Sequence, residues 1–314
     1  MNPTIVFVSQ IQEDEVEAWL VTLKAALPDY DIVLFGDLAK SQYDEIDVAI
    51  VANPNPVELA SLPNLKWVQS LWAGVERLLS DMPEAKFEIV RMTDPQLGLS
   101  MAEAVLAWTL YLHRDMPLYA KQQKTKMWLQ HPLPLASERN VGLLGLGKLG
   151  QMAAMALKKQ GFNVMGWSRT KAELEGIEIF SGPEGLDEML VKTDILVVLL
   201  PLTAETNGLL NQDKLAKLPK DASLINFARG PIVEESALLD LLNKGYLKHA
   251  VLDVFATEPL PAGSPLWSDD KITVLPHISA PTNIKTASKI AADNIKRFRE
   301  TGEVPDFIKR SRGY

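Results

Sequence analysis

Three ionisable residues in the second half of the chain, Arg229, Glu258 and His277, each follow a short apolar run, and a glycine-rich stretch lies upstream of all three. They sit in NFARG (Asn226–Gly230), DVFATEPL (Asp253–Leu260) and LPHISA (Leu275–Ala280), and the glycine-rich stretch is GLLGLGKLG (Gly142–Gly150). A guanidinium is a planar fork that binds a carboxylate and can polarise an adjacent keto oxygen, whereas lysine would bring the charge without the fork. Imidazole gives and takes a proton near neutral pH. A carboxylate beside it orients the ring and favours the imidazolium form. Anion clamp, proton source and tuning charge together suit the reduction of a 2-keto acid. Singly, each has a plainer explanation, such as a surface arginine in a turn or a structural histidine at a strand end. Of the four histidines, His113 falls within or at the end of a long helix, His131 in a proline-rich stretch and His249 at the start of a strand. Only His277 stands just beyond a strand, between Pro276 and Ile278.

Gly145, Gly147 and Gly150, with Lys148 and Leu149 between the last two, match G-x-G-x-x-G. In a chain with 18 glycines that pattern alone is weak. Here a strand-like run, Val141–Leu144, precedes it, and a helix-forming stretch, Gln151–Lys159, follows and ends at Gly161. In that context glycines let the backbone turn tightly and approach a pyrophosphate seated on the helix N-terminus, so dinucleotide binding is expected. An NAD site would place Asp or Glu about 20 residues further on, to hold the ribose 2′-hydroxyl. That place reads Trp167-Ser168-Arg169-Thr170-Lys171, with no acid. Arg169 can grip a phosphate bidentately, and Ser168 and Thr170 can donate hydrogen bonds. NADP(H) is therefore expected as the preferred cofactor, with NAD(H) possible; the plainer alternative is a solvated basic turn.

The elements that must carry these residues form two α/β series. Ile5–Val8, Ile32–Phe35, Val48–Ala52, Leu65–Gln69 and Ile89–Arg91 read as short strands, with a helix over Val16–Leu27 stopped by Pro28. From Ser100 a long helix is expected, with Ser100 and Glu103 as a capping box, running to about Asp115. Lys121–Arg139 is polar and proline-containing and reads as a connector or arm. The second series has strands at Val141–Leu144, Val164–Trp167, Ile195–Leu200, Leu224–Phe227, Ala250–Val254 and Ile272–Leu275. Such continuous apolar runs suit parallel strands covered on both faces. After Pro281, the residues Ile284, Ala287, Ile290, Ala291, Ile295 and Phe298 make a one-sided helical stripe, placed back on the first series. The expected organisation is thus 1–99 plus 283–314 as a substrate-binding domain, with 100–282 inserted as a dinucleotide-binding domain.

In the first series, Trp72-Ala73-Gly74-Val75 follows the strand Leu65–Gln69. Small residues there would let backbone N–H groups approach an anion. Trp72 could equally wall a pocket and limit substrate size, or anchor a core.

The 314 residues carry a net charge of −8 and no cysteine, and 47% of them are hydrophobic. An acidic chain is repelled by phosphate backbones and anionic lipid, so no nucleic-acid or membrane partner is expected. Absence of cysteine removes disulfides and thiolate metal sites, and no metal is called for. No basic region followed by a long apolar stretch opens the chain, and Ile195–Leu200 is far short of the roughly 20 residues a membrane helix needs, so a cytoplasmic protein is expected.

With these residues in hand, the chain resembles the D-2-hydroxyacid dehydrogenase family, most clearly from Leu65 to Ala280. Within it the likeness is greatest to the bacterial glyoxylate/hydroxypyruvate reductases of the A type. GLLGLGKLG, GWSRT, LLPLTAET, NFARGPIV, DVFATEPLP, SPLW, LPHISA and the terminal RGY carry the resemblance. It implies two Rossmann-like or flavodoxin-like α/β domains, the dinucleotide-binding one inserted into the other. It implies that Arg229 binds the substrate carboxylate and keto oxygen, that His277 is the acid/base with Glu258 as its partner, and that Trp72, Ala73, Gly74 and Val75 complete the substrate site. Further cofactor contacts are implied at Leu200, Pro201, Thr206, Phe227, Ala228, Arg229, Asp253, His277 and Ser279. The implied reaction is NADPH-dependent reduction of short 2-keto acids, glyoxylate to glycolate and hydroxypyruvate to D-glycerate, by a homodimer pairing through its cofactor domains. Two alternatives stay open: a D-2-hydroxyacid dehydrogenase for larger keto acids, and a nucleotide-sensing corepressor-like relative without turnover. A formate dehydrogenase is disfavoured because Glu258 stands where that branch has Gln.

Overall fold

A computed structural model describes residues 2–169 and 173–310, and divides the chain into two units. One takes Met1–Gln96 with Thr282–Tyr314, the other Leu97–Pro281. Both are parallel sheets flanked by helices.

The first unit runs β1 (Thr4–Ser9), α1 (Glu13–Ala26), β2 (Asp31–Leu34), β3 (Val48–Ala52), α2 (Pro56–Ala60), β4 (Trp67–Ser70), α3 (Glu76–Asp81) and β5 (Glu88–Val90). Its strands lie in the order β2-β1-β3-β4-β5 with every pairing parallel. Period-two alternation divides the apolar residues between the faces. Ile5 and Phe7 of β1 enter one core and Val6 and Val8 the other. The terminal helix Ile284–Thr301 closes the first of these cores with Ala287, Ala291, Ile295 and Phe298 against Ile5, Trp19 and Leu23. Asn283 starts that helix by accepting from the N–H groups of Lys285 and Thr286, each at 3.1 Å.

The second unit contains α4 (Pro95–His113) from Leu97 onward, α5 (Met116–Lys124), β6 (Asn140–Leu144), α6 (Lys148–Lys159), β7 (Asn163–Ser168), β8 (Glu178–Ser181), α7 (Gly182–Leu190), β9 (Ile195–Val198), α8 (Gln212–Leu215), β10 (Ser223–Asn226), α9 (Glu235–Asn243), β11 (His249–Leu252) and β12 (Ile272–Val274). The strand order is β12-β11-β10-β9-β6-β7-β8, again all parallel. The order reverses between β6 and β9, the switch point at which sheets of this kind bind ligands beyond their carboxyl ends.

Three local expectations need correction. The long helix starts at Pro95, not Ser100, so Ser100 and Glu103 lie inside it and form no capping box. Asp94 does that work: its Oδ1 accepts from Gln96 N–H at 2.8 Å, and Pro95 opens the first turn with a preset φ. Lys121–Lys124 belongs to helix α5, leaving a shorter irregular arm before β6. Strand β8 was not anticipated; its residues Glu178-Ile179-Phe180-Ser181 offer only two apolar positions and sit at the sheet edge.

Candidate active site

Strands β10, β11 and β12 are neighbours, with Asn226 opposite Leu252 and Leu252 opposite Val274. Residues just beyond those three partners therefore leave the sheet at one carboxyl edge. This register brings together turns that lie tens of residues apart in sequence.

Each turn is fixed by its own chemistry. After β10, the Asn226 side chain accepts from Ala228 N–H at 3.1 Å and donates to the Arg229 carbonyl at 3.1 Å, fixing the backbone turn that carries Arg229. Gly230 follows, and a Cβ there would come within 2.0 Å of the Phe255 carbonyl carbon. The Arg229 turn thus rests directly on the backbone of the loop that carries Glu258, a contact only glycine permits. After β11, Asp253 is fully buried, and its two carboxylate oxygens accept from Ile278 N–H at 2.7 Å and Ser279 N–H at 2.9 Å. Its carbonyl accepts from His277 N–H at 3.0 Å. Three successive amides of the β12 turn therefore end on one residue. They hold His277 at φ 54°, a left-handed conformation that a non-glycine residue adopts only when its surroundings impose it.

His277 Nδ1 lies 2.8 Å from Glu258 Oε2, and Glu258 Oε1 accepts from Phe255 N–H at 2.9 Å. The contact engages Nδ1 and leaves proton exchange to Nε2. The His277 side chain is 52% exposed and that of Glu258 34%. The hydrogen bond that His277 donates to Glu258 lifts the His277 pKa above the usual histidine value; partial burial opposes this, the charges of Glu258 and Asp253 add to it and that of Arg229 subtracts. For Glu258, partial burial works against the charged form, but the hydrogen bonds from His277 and Phe255, with the nearby charges of His277 and Arg229, hold the carboxyl below its ordinary range. Each partner stabilises the other's charged state. Arg229, half-buried, donates from Nη1 to the Ala228 carbonyl at 2.7 Å, and its charge acts on both members of the pair.

The glycine loop leaves β6 at the switch point. Gly145 adopts φ 104° and abuts the Leu199 carbonyl, where a Cβ would stand 2.8 Å away, and Gly150 packs so closely on the Gly145 carbonyl that a Cβ there would overlap its oxygen. Gly147 differs: a Cβ there would meet nothing within 4 Å. The outer glycines serve the fold, and the middle one opens space at the α6 N-terminus, where Lys148 and Leu149 begin the helix. That is the cradle a pyrophosphate requires. Leu200, Phe227, Ala228 and Ser279 are buried around the same sheet edge, and Thr206 donates to the Pro201 carbonyl at 2.7 Å. Ser168 ends β7, and the exposed Arg169 beyond it pairs with Glu205 at 3.2 Å. Thr170 lies outside the described residues. The open middle glycine and an arginine past β7 fit NADP(H).

In the first unit, Trp72–Val75 follows β4. Ser70 Oγ accepts from Trp72 N–H and donates to the Trp72 carbonyl, both at 3.0 Å. Trp72 packs edge-on against Trp19, with centroids 6.0 Å apart, and donates from Nε1 to Asn53 Oδ1 at 3.1 Å. It is half-buried against that unit's core, and with Asn53, Ser70, Gly74 and Val75 it also borders a cavity of 40 Å³. These contacts hold the Trp72 side chain against the core.

Sequence reasoning missed the structural parts of Gly230, Asn226 and Asp253. The glycine after Arg229 was a usable signal. The Asp253 contact was not, because it depends on β11 and β12 being neighbours.

A glycine cradle at the switch point and an imidazole–carboxylate–guanidinium group on the adjoining edge define a dinucleotide-dependent oxidoreductase. The NAD binding domain of the D-isomer specific 2-hydroxyacid dehydrogenases matches residues 106–279. Glyoxylate/hydroxypyruvate reductase A of Escherichia fergusonii is 35% identical over 302 residues, covering 94% of this chain and 96% of its own. A D-isomer specific 2-hydroxyacid dehydrogenase from Xanthobacter autotrophicus Py2, solved with NADPH and MES, superposes over 100% of both chains with TM-score 0.92 and 39% identity. An NADPH-dependent glyoxylate/hydroxypyruvate reductase from Sinorhizobium meliloti, solved with NADP and sulfate, does so with TM-score 0.91 and 33% identity, again over 100% of both chains. The chain belongs to the D-isomer specific 2-hydroxyacid dehydrogenase family.

Proposed function

We propose that the protein reduces short 2-keto acids with NADPH, taking glyoxylate to glycolate and hydroxypyruvate to D-glycerate. The observation that carries this reading is the Glu258–His277 contact at 2.8 Å, with the imidazole biased towards its protonated form and Arg229 near enough to act on both. Relatives named for these substrates and solved with NADP support the choice of substrate and coenzyme.

Gly145, Gly147 and Gly150 with the α6 N-terminus would hold the pyrophosphate, and Ser168 and Arg169 the 2′-phosphate. Bound there, the reduced coenzyme supplies a hydride to the keto carbon. Arg229 binds the substrate carboxylate and draws electron density from the keto oxygen. His277 gives its Nε2 proton to that oxygen as it gains negative charge, and Glu258 stabilises the imidazolium that donates it. Asp253 holds the backbone turn that carries the ring. In sum, keto acid, NADPH and a proton become hydroxy acid and NADP⁺. The Trp72–Val75 turn is assigned to the carboxylate site on the sequence resemblance, residues 1–99 with 283–314 to substrate binding and residues 100–282 to the coenzyme.

Steady-state rates with glyoxylate, hydroxypyruvate, pyruvate and phenylpyruvate, each with NADPH and NADH, test the reading. Fastest turnover of the first two with NADPH is expected. Preference for phenylpyruvate would point to a larger-substrate dehydrogenase; coenzyme binding without turnover would point to a sensor.

A homodimer in the cytoplasm is inferred as the working form. Residues 125–135 expose Met127, Leu129, Leu133 and Leu135, with Trp128 94% exposed. Contacts of His131 with Gln122 at 2.6 Å and Tyr119 at 3.1 Å tie this apolar segment to α5. An apolar stretch held in place yet facing outward suits burial against a second copy. Sedimentation should give about twice the 34.8 kDa of one chain.

A further inference from the structure

The sequence offers no acid at the end of β7, which is why a 2′-phosphate is expected there. The fold supplies one from elsewhere. Among the strands, β6 lies between β7 and β9, so the loops after β7 and after β9 flank the glycine loop on opposite sides at one carboxyl edge. The loop after β9 is a tight, self-bonded turn: Thr206 Oγ1 accepts from Thr203 N–H at 2.8 Å and donates to the Pro201 carbonyl at 2.7 Å, and Asn207 N–H donates to the Thr203 carbonyl at 2.9 Å. Glu205 stands on this turn, 71% exposed, and its carboxylate meets the Arg169 guanidinium, 58% exposed, at 3.2 Å.

We propose that Glu205 sets the coenzyme preference by competing with a 2′-phosphate for Arg169. The proposal rests on Arg169 reading that phosphate. A carboxylate this close to the guanidinium occupies part of its fork, and a phosphate taking the same fork would place two anions a few ångströms apart. NADPH must displace or share the carboxylate, whereas NADH brings only a 2′-hydroxyl, to which a carboxylate can be an acceptor. Glu205 therefore weakens NADPH and is neutral or helpful to NADH, holding the preference below what Arg169 alone would give. Thr203 and Thr206 enter indirectly, as the bonds that aim the carboxylate.

Dissociation constants for NADPH, NADH, 2′,5′-ADP and 5′-AMP measured on the full chain, for the wild type, Glu205→Gln, Arg169→Ala and the double variant, test this. Glu205→Gln should tighten NADPH and 2′,5′-ADP by roughly two- to fivefold, the scale of an exposed ion pair, and leave 5′-AMP unchanged. In the Arg169→Ala background the same change should move the NADPH-to-NADH ratio less than in the wild type. An unchanged ratio in Glu205→Gln, with Arg169→Ala still weakening NADPH relative to NADH, overturns the role of Glu205 and spares the phosphate reading. An unchanged ratio in Arg169→Ala overturns both. A gain for 5′-AMP equal to that for 2′,5′-ADP would mean that Glu205 acts on the nucleotide generally, which also overturns the proposal.

Discussion

The carboxyl edges of the two sheets begin alike and end differently. Both sheets are parallel, both alternate apolar residues into cores on two faces, and both carry a turn-borne tryptophan or histidine just past a strand. On the seven-stranded sheet, three neighbouring strand ends deliver Arg229, Glu258 and His277, and buried polar groups lock the turns that bear them. On the five-stranded sheet, the turn after β4 offers Trp72, Ala73, Gly74 and Val75, none of which ionises. The lesson is that the scaffold only supplies an edge; the chemistry depends on which turns are charged and how rigidly they are held. Substitutions on the two edges should accordingly separate in kinetics, the first acting on turnover as well as on substrate binding and the second on substrate binding alone.

The largest effect is expected at His277. Replacing it with Asn should lower kcat for glyoxylate reduction by about 10²–10⁴-fold, the usual reach of general acid catalysis, and leave the NADPH dissociation constant nearly unchanged. Stopped-flow turnover with fluorescence titration would measure both. Next is Arg229→Lys, which keeps the charge and loses the fork. It should cost about 1.5–3 kcal/mol in kcat/KM for the keto acid. Asp253→Asn removes one of the two acceptors for the Ile278 and Ser279 amides and a negative charge that favours imidazolium. It should lower stability by about 1–3 kcal/mol in a denaturant melt and move the His277 titration to lower pH. The smallest change is expected on the other edge. Trp72→Phe loses the bond to Asn53, worth about 0.5–1.5 kcal/mol in stability, and should change KM for glyoxylate more than kcat. If Trp72→Phe instead abolished turnover, the proposed division of labour between the edges would fail.

Much of this site is legible in the chain because its parts are local. An apolar run followed by a charged turn reads the same in sequence and in structure, so Arg229, Glu258 and His277 stand where strand-end residues should. The glycine loop is legible for the same reason, with Gly145 and Gly150 serving close packing and Gly147 facing open space. What stays hidden depends on strand order. Asp253 reaches Ile278 and Ser279 only because β11 and β12 pair, and Glu205 reaches Arg169 only because β6 separates their strands by one place. The misplaced start of α4 has a local cause: Asp94-Pro95 is a better helix opening than Ser100 with Glu103, since Pro at the first position surrenders no hydrogen bond.

The pH dependence of reductive kcat/KM, compared between the wild type and Glu258→Gln, tests the central claim most directly. The reaction needs protonated His277, whose pKa is raised by Glu258, so activity should be full at low pH and fall as pH climbs through a value above the ordinary 6.5. In Glu258→Gln that falling limb should move to lower pH, because the neutral amide no longer favours imidazolium. A limb that stays where it was would contradict the account, since the carboxylate 2.8 Å from the ring would then have no hold on the proton it is said to govern.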